Sequence, residues 1–496
     1  MPFTNSSIAA LLTAWLAIGT VAVSSCGISV DASLSVSTTS GDLTGTINAT
    51  SPNVRQFLGI PYAEPLVGAL RFQPPVRYTS DEAINATAFA PSCLQTISTG
   101  SSGSVYDLLP ELLLGSPVIS EDCLYANVYA PLHPVADKLP VFVWIHGGGF
   151  SANGANVPYQ IPDQWIESTQ GHIVVTLNYR LNFFGFPNAA AQPLNVGLLD
   201  QRLVVEWTRD NIANFGGDPD RIVLWGQSAG AWSVNYYGYA YPEDPIVGGL
   251  IADSGGSTVF TTDPSHSNFT SVAAAAGCGN ESDAEAELVC MQGLDAATLQ
   301  AVYANTTGVS FGPGVDNQTV FANNTERAAA GLVAQIPAII GTNSREGSGF
   351  VALPANGTAP SEADILAGTT IIACPTVQEI QNRLLGGLTT HRYEYTGNFS
   401  NISPLPWIGA IHSGELPLIF GTHFQYNGNS TEFEWQVSYA MEGLWLSFAE
   451  DTSSDPTYES FTWPEYEATT ESMVVFARDN LTTQLDYGST VDQICS

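Results

Sequence analysis

The sequence predicts an α/β chain built on a large, mostly parallel sheet with helices on both faces. Two observations carry that reading. Continuous apolar runs recur at Leu139 to Gly149, Gly171 to Tyr179 and Arg221 to Trp225, with shorter ones at Leu250 to Ala252 and Ile336 to Gly341. Between the second and third, Leu199 to Phe215 places Leu199, Leu203, Val204, Trp207 and Ile212 at helical spacing, with Asp200 in the first turn. Strands apolar on both sides, alternating with amphipathic helices, describe a sheet covered on both faces. Beyond about Asp263 the chain turns rich in Ser, Thr, Asn and Gly, with short helical stretches expected to cap the sheet's C-terminal edge, where ligands of open α/β sheets bind. No internal repeat and no linker marks a domain boundary.

Composition narrows the function classes. The 496 residues hold 13 Lys+Arg against 47 Asp+Glu, a formal charge of −34. A nucleic-acid partner needs clustered cations that this chain lacks, and an anionic membrane surface is disfavoured for the same reason. Such acidity suits solubility in an acidic medium. Residues Ile8 to Val23 form an apolar stretch followed by Ser24 and Ser25, read as a signal peptide over 1–24 and a single mature domain over 25–496. No later stretch is long and apolar enough to span a bilayer, and the C-terminus carries no lipid-anchor tail. Asn-x-Ser/Thr sequons at Asn48, Asn85, Asn268, Asn280, Asn305, Asn317, Asn323, Asn356, Asn398, Asn401, Asn429 and Asn480 fit a secreted, glycosylated product. The seven cysteines then read as disulfide candidates, Cys278 and Cys290 being near neighbours. No spacing resembles a metal site, and no cofactor is called for.

The chemistry centres on Ser228. It lies in Gly226-Gln227-Ser228-Ala229-Gly230, directly after Ile222-Val223-Leu224-Trp225 and before Ala231-Trp232-Ser233-Val234. A β-strand breaking into Gly-x-Ser-x-Gly and continuing as a helix is the nucleophile elbow of an α/β-hydrolase. Its turn is sharp and strained, so the flanking residues must be very small. Upstream, His146-Gly147-Gly148-Gly149-Phe150 ends an apolar strand, and the N–H groups of Gly148, Gly149 and Ala229 are candidates for an oxyanion hole.

The triad order of this fold places acid and base after the serine. Of His266, His391, His412 and His423, His266 precedes any sensible acid strand. His391 opens an alternating strand as an expected surface or edge position, and His423 reads as a satisfied surface histidine. His412 lies in a small-residue loop before an apolar segment, as a general base should. For the acid, Glu346 follows the strand and turn Ile336 to Gly347. Asp253 competes but falls one strand early, and Glu415 is too close in sequence to His412 to be its acid and is expected to be a neighbouring hydrogen-bond partner.

The chain resembles the type-B carboxylesterase/lipase family, which includes cholinesterases and secreted fungal lipases. The matching segments are Phe57 to Ala63, Glu121 to Tyr125, His146 to Phe150, Asn178 to Arg180, Asn195 to Arg202, and Phe215 to Pro219 running into Gly226 to Gly230. The resemblance implies an α/β-hydrolase fold with a helical cap and a disulfide-closed flap. It makes Ser228 the nucleophile, Glu346 the acid and His412 the base, with Gly148, Gly149 and Ala229 as the oxyanion hole and Ser254 supporting the acid–histidine pair. It pairs Cys93 with Cys123, Cys278 with Cys290 and Cys374 with Cys495, leaving Cys26 over. The flap then carries Leu108, Leu109, Leu112, Leu113 and Leu114. Two departures bear on substrate preference: Gln227 stands where the family has Glu, and the Glu346 to His412 stretch is short. The expected activity is hydrolysis of a small-molecule or lipid ester. Interfacial triacylglycerol lipase is the alternative, and a non-catalytic family member stands further behind. Oligomeric state is not read from the sequence.

Overall fold

The computed structural model describes residues 32–96, 103–112, 115, 117–260, 263–279, 282–354 and 358–495. The signal segment, Cys26, Leu113, Leu114 and the sequons Asn280 and Asn356 therefore lie outside the described residues.

The central sheet contains Thr46–Asn48 (β1), Ser51–Pro61 (β2), Tyr125–Pro131 (β3), Leu139–Ile145 (β4), Ile173–Leu177 (β5), Gly217–Gln227 (β6), Gly249–Asp253 (β7), Ala338–Asn343 (β8), Thr390–Tyr395 (β9), Ser472–Arg478 (β10) and Leu481–Tyr487 (β11). Their spatial order is β11-β10-β9-β8-β7-β6-β4-β5-β3-β2-β1. From β5 through β10 every neighbouring pair is parallel. The edges, β3-β2-β1 on one side and β11 on the other, are antiparallel. The sheet is thus α/β as expected, with antiparallel margins that the apolar-run pattern did not reveal.

The apolar strands have a simple cause. Side chains alternate across a strand, and both faces are covered. Val141, Val143, Ile145, Ile222, Leu224, Leu250 and Ile340 enter one core. Phe142, Trp144, Val223, Trp225, Ile251 and Ile339 enter the other. The first face is closed by Val196–Asn211 (α1) through Leu203, Val204 and Trp207, and by Ala229–Ala240 (α2) through Ala231 and Val234. The second is closed by Glu432–Glu450 (α3) through Val437, Met441, Leu444, Trp445 and Phe448. Thr431 begins α3 with a capping box to Glu434. Full burial of each such side chain contributes about 1.5–3 kcal/mol, so the sheet's centre is the most stable part of the molecule.

Between β7 and β8 the described residues form four short helices, Ser267–Ala275, Ala284–Gly293, Ala296–Asn305 and Asn324–Ala329, the first three being the helical region expected after Asp263. Their residues Phe269, Leu288, Met291 and Leu299 form a small core of their own with Phe72, Phe183 and Phe184. Disulfides join Cys93 to Cys123, Cys278 to Cys290 and Cys374 to Cys495. Among the described residues no helix is long and apolar enough to cross a membrane.

Three surface expectations fail. His391 is buried, because β9 runs inside the sheet between β8 and β10 rather than at its edge. His423 is also buried, with Nδ1 2.6 Å from the Ser430 hydroxyl. Asn401, the nitrogen of one sequon, is 3% exposed and donates to the His423 carbonyl and the Glu434 carboxylate, so no sugar can be attached there in the folded protein. The sequon residues Asn48, Asn85, Asn305, Asn317, Asn323, Asn398, Asn429 and Asn480 are exposed, and Asn268 is half-buried.

Candidate active site

Parallel register brings the C-terminal ends of β4, β6, β7 and β8 side by side. Gly226 pairs with Ile145, Gln227 with Asp253, and Asp253 with Gly341. Residues just beyond these ends must therefore meet, whatever their separation in sequence.

Ser228 caps β6 at φ 57° and ψ −124°, a region that an L-residue enters only under compulsion. The compulsion is visible. Its N–H donates to the Asp253 carbonyl at 2.9 Å, and its own carbonyl accepts the N–H of Trp232 at 3.0 Å as α2 begins. The turn is so tight that a Cβ on Gly230 would collide with the Ile145 carbonyl oxygen. The loop after β4 folds directly over this turn. Gly148 (φ 104°) and Gly149 (φ 60°) reverse the chain, and the Gly148 carbonyl takes the N–H groups of Ser151 and Ala152. A Cβ on Gly147 would lie 3.0 Å from the Ser228 Cβ and 2.8 Å from the Gln227 side-chain oxygen. His146 anchors the loop from below, stacked on Tyr179 at 4.6 Å with Nδ1 2.8 Å from the Gly147 carbonyl. Burial pulls its pKa down to about 4, so it is a neutral structural ring.

Glu346 opens the turn after β8 and is fully buried. Its Oε1 accepts the Asn343 N–H at 2.7 Å and the Ser254 hydroxyl at 2.6 Å, while Oε2 lies 2.5 Å from His412 Nδ1. A carboxylate facing three donors is fixed in orientation and in turn fixes the imidazole. The His412 loop is stitched to the same turn. Asn343 Nδ2 donates to the Ile411 carbonyl at 2.7 Å, and the Arg345 N–H donates to the Ala410 carbonyl at 3.1 Å. The far ring nitrogen of His412, Nε2, lies 3.2 Å from the Gln227 amide nitrogen, next to Ser228 in the chain. Hence the serine turn, the glycine loop, Glu346, Ser254 and His412 occupy one place.

Asp253 is occupied elsewhere. Its Oδ2 accepts from the Trp225 indole at 2.5 Å and its Oδ1 from the Tyr393 hydroxyl at 2.8 Å, beneath the sheet edge. Burial raises its pKa to about 7, opposed by those two hydrogen bonds and reinforced by Glu346. Glu415 is bonded to Asn343 Nδ2, and burial, with Asp253 and Glu346 nearby, holds its carboxyl well above the usual range. Both groups buttress the site from behind.

Several contacts had no signal in the sequence. Tyr106, from the flap between Cys93 and Cys123, donates its hydroxyl to the His412 carbonyl at 2.9 Å. Phe350, 48% exposed, lies 5.0 Å from the His412 ring. Phe260, 42% exposed, lies 5.1 Å from Phe150 and 6.3 Å from Trp232. Two half-exposed rings thus stand near opposite parts of the site. In the flap, Leu109 and Leu112 are fully buried with Val105, Tyr159, Ile408 and Ile411, whereas Leu108 is exposed. The flap as described is therefore folded down onto the His412 loop rather than presenting its leucines to solvent. Among the described residues no cluster of His, Cys, Asp and Glu is arranged to hold a metal ion.

The chain is similar to known proteins over most of its length. The carboxylesterase family profile matches residues 32–365 and 359–490. A chlorogenic acid esterase of Aspergillus niger is 48% identical over 485 residues, covering 93% of this chain and 94% of the relative. Secreted lipase 5 of Gibberella zeae is 41% identical, covering 92% of each. The acetylcholinesterase of Bungarus fasciatus is 29% identical, covering 91% of this chain and 84% of the relative.

Proposed function

We propose that this chain, which belongs to the carboxylesterase family and is a carboxylic ester hydrolase, acts through an acyl-enzyme on Ser228. His412 Nε2 takes the Ser228 proton as the hydroxyl oxygen attacks the ester carbonyl. Glu346, bonded to Nδ1, keeps the imidazole in the tautomer that can accept there and stabilises the imidazolium that forms. The N–H groups of Gly148, Gly149 and Ala229 receive the developing oxyanion, and Ser254 holds the second carboxylate oxygen. His412 then returns the proton to the leaving alcohol, and water repeats the sequence on the acyl-enzyme. The observation that carries this reading is the Glu346–His412 contact at 2.5 Å, formed beside a serine held at φ 57°.

The substrate reading is an ester joining an aromatic acid to an alcohol. The name of the Aspergillus niger relative supports it, as do the half-exposed rings of Phe260 and Phe350, which offer faces for a planar group. Secretion is supported by the name of the Gibberella zeae relative, a secreted lipase, by three disulfides and by the exposed sequons. A fluorophosphonate probe tests the nucleophile. Mass spectrometry of the digested adduct should find the label on the peptide holding Ser228, and label on any other serine rejects the assignment. Turnover of chlorogenic acid beside a chain-length series of p-nitrophenyl esters tests the substrate class.

The interfacial lipase reading rests on one observation, the two flap leucines packed against the loop that carries His412. If the flap opens at an oil surface, Leu112→Ser flattens the rise in rate above the substrate's solubility limit while sparing soluble esters. A loss on all esters alike, with lower thermal stability, rejects the lid.

A further inference from the structure

Away from the serine, a row of aromatic rings runs along the outer side of α3 from Phe424 to Tyr439, and Tyr439 at its end lines an open groove. Phe424 stacks on Trp435 at 5.0 Å, and Trp435 lies 5.5 Å from Tyr439, one helical turn further on. Phe424 is 36% and Tyr439 45% exposed. Tyr439 is one wall of a groove of about 510 Å³ whose other side carries Tyr458 and Phe461, from the small hairpin Thr457–Thr462. The polar lining is neutral apart from one carboxylate: Gln436, Ser460, Thr482 and Thr483 beside Glu459, with no Lys, Arg or His among the lining residues.

Rings that served only to cover α3 would be buried against it, as Trp445 and Phe448 are on its inner face. Apolar surface left open beside a concave, hydrogen-bonding wall marks a ligand site. Charge limits the ligand. A chain of net charge −34, with Glu459 in the groove and no cation facing it, repels anionic polymers, anionic lipid surfaces and a second copy of itself. A pyranose has the complementary chemistry. One face of the ring is C–H and stacks on an aromatic face, and its rim of hydroxyls both donates to and accepts from amides and hydroxyls.

We propose that this groove binds a neutral oligosaccharide, with Tyr439 as the stacking platform and Gln436, Thr482 and Thr483 reading the hydroxyl rim. None of these residues belongs to the reactive site, so binding would tether the enzyme to a glycan without altering hydrolysis of a soluble ester.

The test uses the full-length secreted protein after enzymatic removal of its N-linked sugars, so that no glycan of its own occupies the groove. Cellohexaose and xylohexaose are titrated calorimetrically at millimolar concentration, beside an oligogalacturonate of similar length and neutral phosphatidylcholine vesicles. Binding of at least one neutral sugar is expected. Tyr439→Ala should weaken it by about tenfold or more, Tyr439→Phe should retain most of it, and both variants should keep wild-type turnover of p-nitrophenyl butyrate, which also reports that they are folded. The proposal is overturned if neither neutral sugar binds, if Tyr439→Ala binds as wild type does, if the oligogalacturonate binds as tightly, or if only the vesicles bind.

Discussion

Ser228 stands at φ 57° between glycines whose replacement would drive a side chain into the neighbouring backbone, with its N–H held by the Asp253 carbonyl. Glu346 and His412 are held differently. They come from segments 66 residues apart and meet because the Asn343 side chain ties the two turns together, while Ser254 holds the Glu346 carboxylate and Tyr106 the His412 carbonyl. One half of the site is positioned by backbone, the other by a network. Backbone positioning tolerates no added atom, whereas a network loses function in steps as members are removed. The variants below distinguish those two behaviours.

The largest effect belongs to the groups proposed to react. Ser228→Ala and His412→Ala should each lower kcat by about 10⁴- to 10⁶-fold. Ser228→Ala should leave the melting temperature unchanged, whereas His412→Ala, which leaves the buried Glu346 carboxylate without its imidazole, should fold with a lowered one. Near-normal turnover in folded His412→Ala would send the search for the base to other histidines. His391 is a poor substitute, because it lies within the sheet.

Gly230→Ala tests the backbone half. Its new Cβ would meet the Ile145 carbonyl oxygen, and β4 is buried on both faces and cannot retreat. We expect a loss of about 3 kcal/mol or more of stability, in the range of overpacking and strain, together with loss of turnover. A stable, active Gly230→Ala protein would show that the elbow can relax and that its glycines are not enforced by contact.

These differences explain what was legible in the sequence. The elbow and the glycine loop could be read because backbone constraint leaves a local trace, glycines at fixed spacing after an apolar strand. Strand order and the family resemblance both favour Glu346 over Asp253 as the proposed acid, and in the structure Asp253 spends its oxygens on Trp225 and Tyr393. Tyr106 left no trace, since its partner lies 306 residues away. The burial of His391 left no local trace because the rings packed against it, Phe448 and Trp463, come from distant C-terminal segments. Asn401 matched a sequon, but sequons carry no information about burial.

The pH dependence of stability is the next smaller effect. Asp253 has its pKa raised from 3.8 to about 7 by burial at the base of the elbow. A carboxyl whose pKa is raised on folding binds its proton more tightly in the folded state. Its favourable contribution is complete below the unfolded value and is lost as pH rises from about 4 towards 7. The full swing is at most about 4 kcal/mol. Melting temperature should therefore fall between pH 4 and pH 7, and Asp253→Asn, which keeps one of the two acceptor oxygens and carries no charge, should flatten part of that fall. An identical slope in the variant would mean that Asp253 ionises in the folded protein as it does in the unfolded one. Glu379 and Glu394, also raised to about 7, and Glu415 and Glu442, which burial holds well above the usual carboxyl range, act in the same direction.

The smallest effect is the most specific to the network. Ser254 and the Asn343 N–H both bond Glu346 Oε1, and the Asn343 side chain also holds the Ile411 carbonyl beside His412. Ser254→Ala removes one donor to the carboxylate, and Asn343→Ala releases the His412 loop while leaving its own N–H in place. Each should lower kcat by about tenfold to a hundredfold, with little change in KM for a soluble ester, because neither residue reaches the substrate. If the two act through one carboxylate–imidazole geometry, their effects on the transition state will not add, and a coupling of about 0.5–3 kcal/mol should remain in the double-mutant cycle. Strict additivity would mean that each residue acts through a separate contact, and the His412 side of the site would then be a set of independent supports rather than a network. Measured beside Gly230→Ala, the cycle separates a site half that fails when an atom is added from one that weakens as hydrogen bonds are withdrawn.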